Sequence, residues 1–311
     1  VFENSIVKVK MRLPFFLIST VVLCGLLSCS KKETQIIDKL IVYVSIAPQK
    51  YFVEKIGKDL VDISVLVPPG SSPHTFEPKP SQMTRISTAD ILFTIGIDFE
   101  HAWIPRIRDN AKKLKIIASD MNIEKLKSTD IHDHHENNDS DSHDPTDNNG
   151  LDPHIWLSPE LVKTQAYTIY NALCDTDSTH KSQYLKNLNI FLKEIDSLQL
   201  QIRSILKNCP HNDTFMIFHP AWGYFAKEFN LTEYPIEIDG KEPSPKELAQ
   251  IIDFAKNNNI KTIFVQPQFS AQSANQIAHE LGATVATVND LSDKWAENLI
   301  NTTKLIGTCK Q

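Results

Sequence analysis

Short apolar runs alternate with amphipathic stretches along most of the chain. Leu40 to Ala47 (LIVYVSIA) is apolar and β-branched, the pattern of a strand buried on both faces. Gln49 to Lys58 then reads as a helix. Ile63 to Val67 is a second strand, stopped by Pro68-Pro69-Gly70. A helix over Pro80 to Ala89 leads into a strand at Ile91 to Ile95. His101 to Leu114 reads as helical and Lys115 to Ala118 as a short strand. After Pro159 to Cys174, a helix, comes a longer one from Lys181 to Leu206. In it Leu185, Leu188, Phe191, Leu192, Ile195, Leu198, Leu200, Ile202 and Leu206 recur at helical spacing between Lys and Glu. At 1.5 Å per residue it spans about 39 Å, enough to act as a strut.

The alternation restarts after Pro210. Strands are expected at Thr214–Phe218, Tyr234–Ile238, Thr262–Val265 and Ala283–Val288, and helices at Trp222–Phe229, Ala271–Leu281 and Trp295–Ile306. Ser244-Pro245-Lys246-Glu247 opens a further helix, with Ser at the N-cap, Pro at N1 and Glu at N3. Strand–helix alternation on this scale predicts an α/β protein: two Rossmann-like lobes with parallel sheets, joined by one long rigid helix. The expected division is a leader over 1–29, an N-terminal lobe over 30–178, a linker helix over 179–208 and a C-terminal lobe over 209–311.

Two segments stand outside this pattern. Lys8, Lys10 and Arg12 precede an apolar run from Leu13 to Leu27, too short for a membrane span and suited to a signal-peptide core. Met11 is the expected start of translation. The run ends in Leu26-Leu27-Ser28-Cys29, which resembles a bacterial lipoprotein box, with Cys29 the residue that carries the lipid. The second segment, Asp130 to Asn149, lacks the apolar residues of a core after Ile131 and reads as a low-complexity insert. It holds His132, His134, His135 and His143 among seven acidic residues.

Composition narrows the function. The chain has 311 residues and a net charge of −6, which argues against a partner such as nucleic acid that needs a basic face. No glycine-rich phosphate loop of Walker or dinucleotide type is present. Cys174, Cys209 and Cys309 follow the leader. Outside the cytoplasm Cys209 and Cys309 can pair, and three reduced thiols are the equal alternative. His74, His154 and His219 sit beside prolines, after predicted strands or in turns, where open parallel sheets bind ligands. Stiff loops suit imidazoles that meet at a metal. His101, His180, His211 and His279 lie on or beside predicted helices and are expected at the surface or as caps. Trp156 and Trp222 are candidate walls of a site.

The motifs PPGSSPHTFEPKPSQ, DPHIWLSP, FHPAWGYFAKEF, IEIDGKEPSPKEL and FVQPQFSAQSANQIAHELGA, in this order, resemble the solute-binding lipoproteins of zinc- and manganese-type metal ABC transporters. The likeness runs from Leu40 to Thr308. It implies two α/β lobes on a rigid helix with metal at their interface. It also implies His74 and His154 as ligands from the first lobe and His219 from the second. Histidine at 219, where manganese-type members have a carboxylate, makes Zn²⁺ the expected metal. The fourth ligand falls in Val288-Asn289-Asp290-Leu291: Asp290, Asn289 or water. At Gln266, where the family often has Glu, no role is assigned. The insert resembles the histidine-rich loop of zinc-type members, expected to collect metal through His132, His134, His135 and His143.

The resemblance thus implies an extracytoplasmic, lipid-anchored protein, acting as a monomer without catalysis, that delivers Zn²⁺ to an ABC permease and its ATPase. The rival readings are a manganese or iron carrier of the same family, a surface zinc-dependent hydrolase with Glu77 or Asp152 as base, and an adhesin that uses metal for structure alone.

Overall fold

The computed structural model describes residues 38–128, 150–207, 213–238 and 240–308. Two four-stranded parallel sheets carry the fold. The first contains β1 (Leu40–Val44), β2 (Val61–Val65), β3 (Ile91–Thr94) and β4 (Lys115–Ala118) in the order β2-β1-β3-β4. The second contains β5 (Thr214–Ile217), β6 (Thr232–Pro235), β7 (Thr262–Val265) and β8 (Thr284–Thr287) in the order β6-β5-β7-β8. Register is in step throughout, with Val42 opposite both Ile63 and Ile91, and Ile217 opposite both Pro235 and Phe264.

The helices are α1 (Ala47–Gly57), α2 (Pro80–Ile86), α3 (Asp98–Asn110), α4 (Pro159–Thr176), α5 (Lys181–Leu206), α6 (Gly223–Phe229), α7 (Pro245–Asn257), α8 (Gln272–Leu281) and α9 (Trp295–Thr308). The long helix α5 has the predicted bounds and 26 residues. It buries Leu188, Phe191, Ile195, Leu198 and Ile202 along one stripe, as its periodicity requires, whereas Leu185 and Leu200 lie off that stripe and are exposed. At α7 the expected capping box is present: Ser244 Oγ accepts the Glu247 N–H, and the Glu247 carboxylate accepts the Ser244 N–H at 2.7 Å.

Some boundaries differ from the expectation. α1 starts at Ala47 because Pro48 fits its first turn, so β1 stops at Val44. α3 starts at Asp98, three residues before His101, with Asp98 and Glu100 in its first turn where a helix favours anions. Both β2 and β6 begin two residues early, and Leu66, Val67, Ile236 and Glu237 follow them, still donating to the Val44, Ser45, Ile217 and Phe218 carbonyls.

The larger apolar core is continuous from one sheet to the other. It runs from Val42, Phe52 and Phe93 through Trp156, Phe191 and Ile195 to Trp222, Phe225 and Trp295. A smaller cluster around Ile251, Ile263 and Ile277 fills the far side of the second sheet. Trp295 at the start of α9 sets its ring edge-on to Phe52 at 5.1 Å, and its indole N–H donates to the Trp156 carbonyl at 2.7 Å. Tyr224 on α6 donates to the Asp152 carbonyl at 2.7 Å and accepts the Leu126 N–H at 2.8 Å. The two halves therefore share core and hydrogen bonds. Among the described residues no helix is long and apolar enough to cross a membrane. Cys174 is buried and unpaired, whereas Cys209 and Cys309 lie outside the described residues.

Candidate metal centre

The carboxyl ends of both sheets face one small chamber. Among those that line it are Pro73, His74, Ile97, His154, Trp156, His219, Gln268, Phe269 and Asp290. Every strand except β1 is followed by a connection that supplies a lining residue or a partner to one. This is where open parallel sheets bind ligands.

The three predicted histidines meet here. One ring nitrogen from each of His74, His154 and His219 lies within 4.8 Å of the others, the only such group of His, Cys, Asp or Glu among the described residues. Each ring is oriented by a carboxylate at Nδ1. Asp98 accepts from His74 at 2.7 Å, Asp152 from His154 at 2.7 Å and Glu237 from His219 at 3.1 Å. A carboxylate at Nδ1 fixes the tautomer with its proton there and leaves the Nε2 lone pair exposed. The Nε2 atoms of His74 and His219 face each other at 3.3 Å. Two lone pairs at that distance repel unless a cation sits between them. Two nitrogens on a tetrahedral zinc ion, each at about 2.0–2.1 Å, are separated by about 3.3–3.4 Å. The spacing thus suits the donor set to zinc.

The surroundings stiffen the rings. Phe269 stacks on His219 at 4.6 Å with planes 23° apart, and Trp156 packs against His154 at 5.0 Å. The Asp152 carboxylate also accepts the His154 N–H at 2.8 Å, a local Asx turn. Trp222, the other candidate wall, packs instead on Phe225 in the core.

Protonation differs between the rings. Burial lowers His74, but the bond to Asp98 and the charges of Asp98, Asp290 and Glu237 more than offset this, and its pKa is raised above 6.5. Burial dominates at His219. His154 and His74 reinforce it, Glu237 opposes it, and its pKa falls below 6.5.

Asp290 lines the chamber and is buried, but its Oδ1 accepts from Gln268 at 2.6 Å, and its carbonyl accepts the Trp156 indole N–H at 2.7 Å. Asn289 turns its side chain to the Leu291 N–H and to a neighbouring cleft of about 400 Å³. On the other side the triad opens into a cavity of about 480 Å³ whose rim includes Ser128 and Gly150. Those two residues flank 129–149, and Ser128 N–H donates to the Gly150 carbonyl at 2.6 Å. His132, His134, His135 and His143 lie outside the described residues, as do Cys29 and His211. His180 binds Asp177 at 2.6 Å at the start of α5, and His101 and His279 are exposed on their helices.

Sequence reasoning missed Asp98, Glu237 and Gln268, and gave Gln266 no role. Asp98 and Glu237 lie 24 and 18 residues from the histidines they hold. Only Asp152, two residues before His154, has a local signal.

The family model for the zinc-uptake complex component A, periplasmic (ZnuA) matches residues 42–306. The chain belongs to the ZnuA family. The high-affinity zinc uptake system protein ZnuA of Bacillus subtilis is 31% identical over 258 residues, covering 82% of this chain and 79% of that protein. A crystal structure of ZnuA superposes with a TM-score of 0.80 at 40% identity, covering 88% of this chain and 100% of that one. A ZnuA deletion mutant with zinc bound gives 0.79 at 40% identity, over 88% and 99% of the two chains. Membership of the ZnuA family agrees with the parallel two-sheet architecture and with a histidine-built centre.

Proposed function

We propose that this chain captures Zn²⁺ outside the cytoplasm and delivers it to an ABC permease driven by its ATPase. The observation that carries this reading is the convergence of three imidazoles, each tied at Nδ1 to its own carboxylate. In this reading the Nε2 atoms of His74, His154 and His219 bind the ion, and Asp290 or a water completes four-coordination. Zinc is cargo here. A site of neutral imidazoles favours it over Mn²⁺, which prefers oxygen donors. The hydrolase reading is disfavoured because Asp152, one of its two candidate bases, is engaged with His154, and Glu77, the other, is exposed and does not line the chamber.

The remaining parts of the reading rest on sequence. The leader over 1–29 is removed and Cys29 carries the lipid anchor, so the protein works as a membrane-tethered monomer in the periplasm or at the cell surface. The lobes are divided at 179–208. The insert histidines collect metal and raise its local concentration near the site.

The test is competition for metal against a chromophoric chelator, using stripped protein. Wild type should hold one tight Zn²⁺ per chain and bind Mn²⁺ far more weakly. His219→Ala should lose the tight site and keep only weak binding. A tight site that survives this substitution, or a preference for Mn²⁺, would overturn the reading.

A further inference from the structure

The central strands of the second sheet diverge just where His219 begins. Phe218 N–H donates to the Phe264 carbonyl at 2.8 Å, the last ladder bond between these strands. Beyond it the main-chain N–H and C=O of His219 have no strand beside them, although the carbonyl also accepts the Ala221 N–H at 2.9 Å. Gln266, one residue past β7, fills that place with its side chain. Its Oε1 accepts the His219 N–H at 3.2 Å and its Nε2 donates to the His219 carbonyl at 2.7 Å. Gln266 is 1% exposed, so both bonds are shielded from water.

We propose that Gln266 is a positioning residue for metal capture, whose amide clamps the main chain of His219. This rests on the reading of His219 as a zinc ligand. A primary amide presents one acceptor and one donor, the complement of a peptide N–H and C=O. A carboxyl group fills the same place only when protonated; ionised, it presents two acceptors, one of which faces the His219 carbonyl and repels it. The same complementarity fixes the orientation of the Gln266 amide, because the reverse would set donor against donor.

His219 is thereby held at three points: its main chain by Gln266, its Nδ1 by Glu237 and its ring face by Phe269. The ring is ordered when the chain folds, so little freedom remains to be lost when metal arrives. The clamp also adds no second negative charge beside Glu237.

A double-substitution cycle reads this directly. Zinc affinities are measured by chelator competition for Gln266→Ala and Gln266→Leu, each in the wild-type and His219→Ala backgrounds. In wild type each should weaken zinc by about 10–100-fold, the usual cost of losing a partner that orients a ligand. In the His219→Ala background the same changes should cost less than about twofold, because the residue they act through has gone. Equal costs in both backgrounds would mean a general disturbance of the lobe and would overturn the proposal. So would unchanged zinc binding in both Gln266 variants. If His219→Ala alone leaves the tight site intact, the ligand reading fails first and takes this inference with it. Where neither variant folds, hydrogen exchange on the wild-type protein decides. The His219 N–H and the Gln266 amide protons should be strongly protected, and rapid exchange of both would refute the clamp.

Discussion

The two sheets have the same strand order, yet their central crevices are put to different uses. In the first sheet the crevice between β1 and β3 is plugged. Gln49 accepts the N–H groups of Ser45 and Ile46 at 3.0 and 3.2 Å and donates to the Thr94 carbonyl and Ser119 Oγ at 3.2 and 3.0 Å. Glu100 caps the same end, accepting the Gly96 N–H at 2.7 Å and a short bond from Ser45, and burial, opposed by these bonds, pushes its pKa up to about 7. In the second sheet the equivalent crevice, between β5 and β7, is filled by the Gln266 amide, and the strand end that it holds carries His219. The first lobe's histidines arrive on the connections after β2 and β4. One lobe thus supplies a fixed anchor and the other supplies ligands on loops. His74 is the more accessible, at 26% side-chain exposure against 10% for His219.

The largest expected effect comes from the carboxylates behind these two rings. Glu237 is 7% exposed and Asp98 44%. Water and salt screen the second far more than the first. Glu237→Gln should therefore weaken zinc by about 10–100-fold, and Asp98→Asn by less. Chelator competition at one pH and ionic strength checks this. Equal losses, or a larger loss for Asp98→Asn, would break the contrast between a buried anchor and an accessible loop ligand.

A smaller effect appears with pH. Zinc binds neutral imidazole, so a proton on any ligand competes with it. His74 is raised above 6.5, with Asp98 the strongest of the groups raising it and Asp290 and Glu237 also facing it. His219 is lowered, chiefly by burial. As pH falls, weakening should begin above 6.5 with His74, and His219 should yield only later. Asp98→Asn should move that onset to lower pH, measured as zinc affinity across pH 5–8. An onset unmoved by that substitution would deny Asp98 this role. In the metal-free protein the two rings act in opposite directions. His74 lends stability below 6.5 that is lost as pH rises through its folded pKa; His219 lends stability above 6.5 that is lost as pH falls through its own.

Much of the fold was legible because its signals are local. The stripe on α5 and the capping box at Ser244 need no tertiary partner, and both elements begin where the pattern places them. α3 was displaced because Asp98 opens its first turn while also serving His74, a long-range task that no local pattern records. β6 was misplaced for a similar reason: Ile236 and Glu237 follow its end, still donating to the Ile217 and Phe218 carbonyls, and Glu237 also serves His219. The three histidines were legible through motifs. Gln266 was not, because its purpose is a bond 47 residues back along the chain. Gly96 shows the same limit. With φ of +80° it turns the chain after β3 toward Asp98, and a Cβ there would strike the Lys125 ammonium and sit 2.8 Å from Asp120 Oδ2.

The most direct test of the central claim is X-ray absorption at the zinc edge on full chain loaded with less than one equivalent of zinc. The account predicts three imidazole nitrogens at about 2.0–2.1 Å with one further light ligand. Loss of one imidazole contribution in His219→Ala should accompany it. A shell built mainly of oxygens, or a spectrum unchanged by that substitution, would contradict the account.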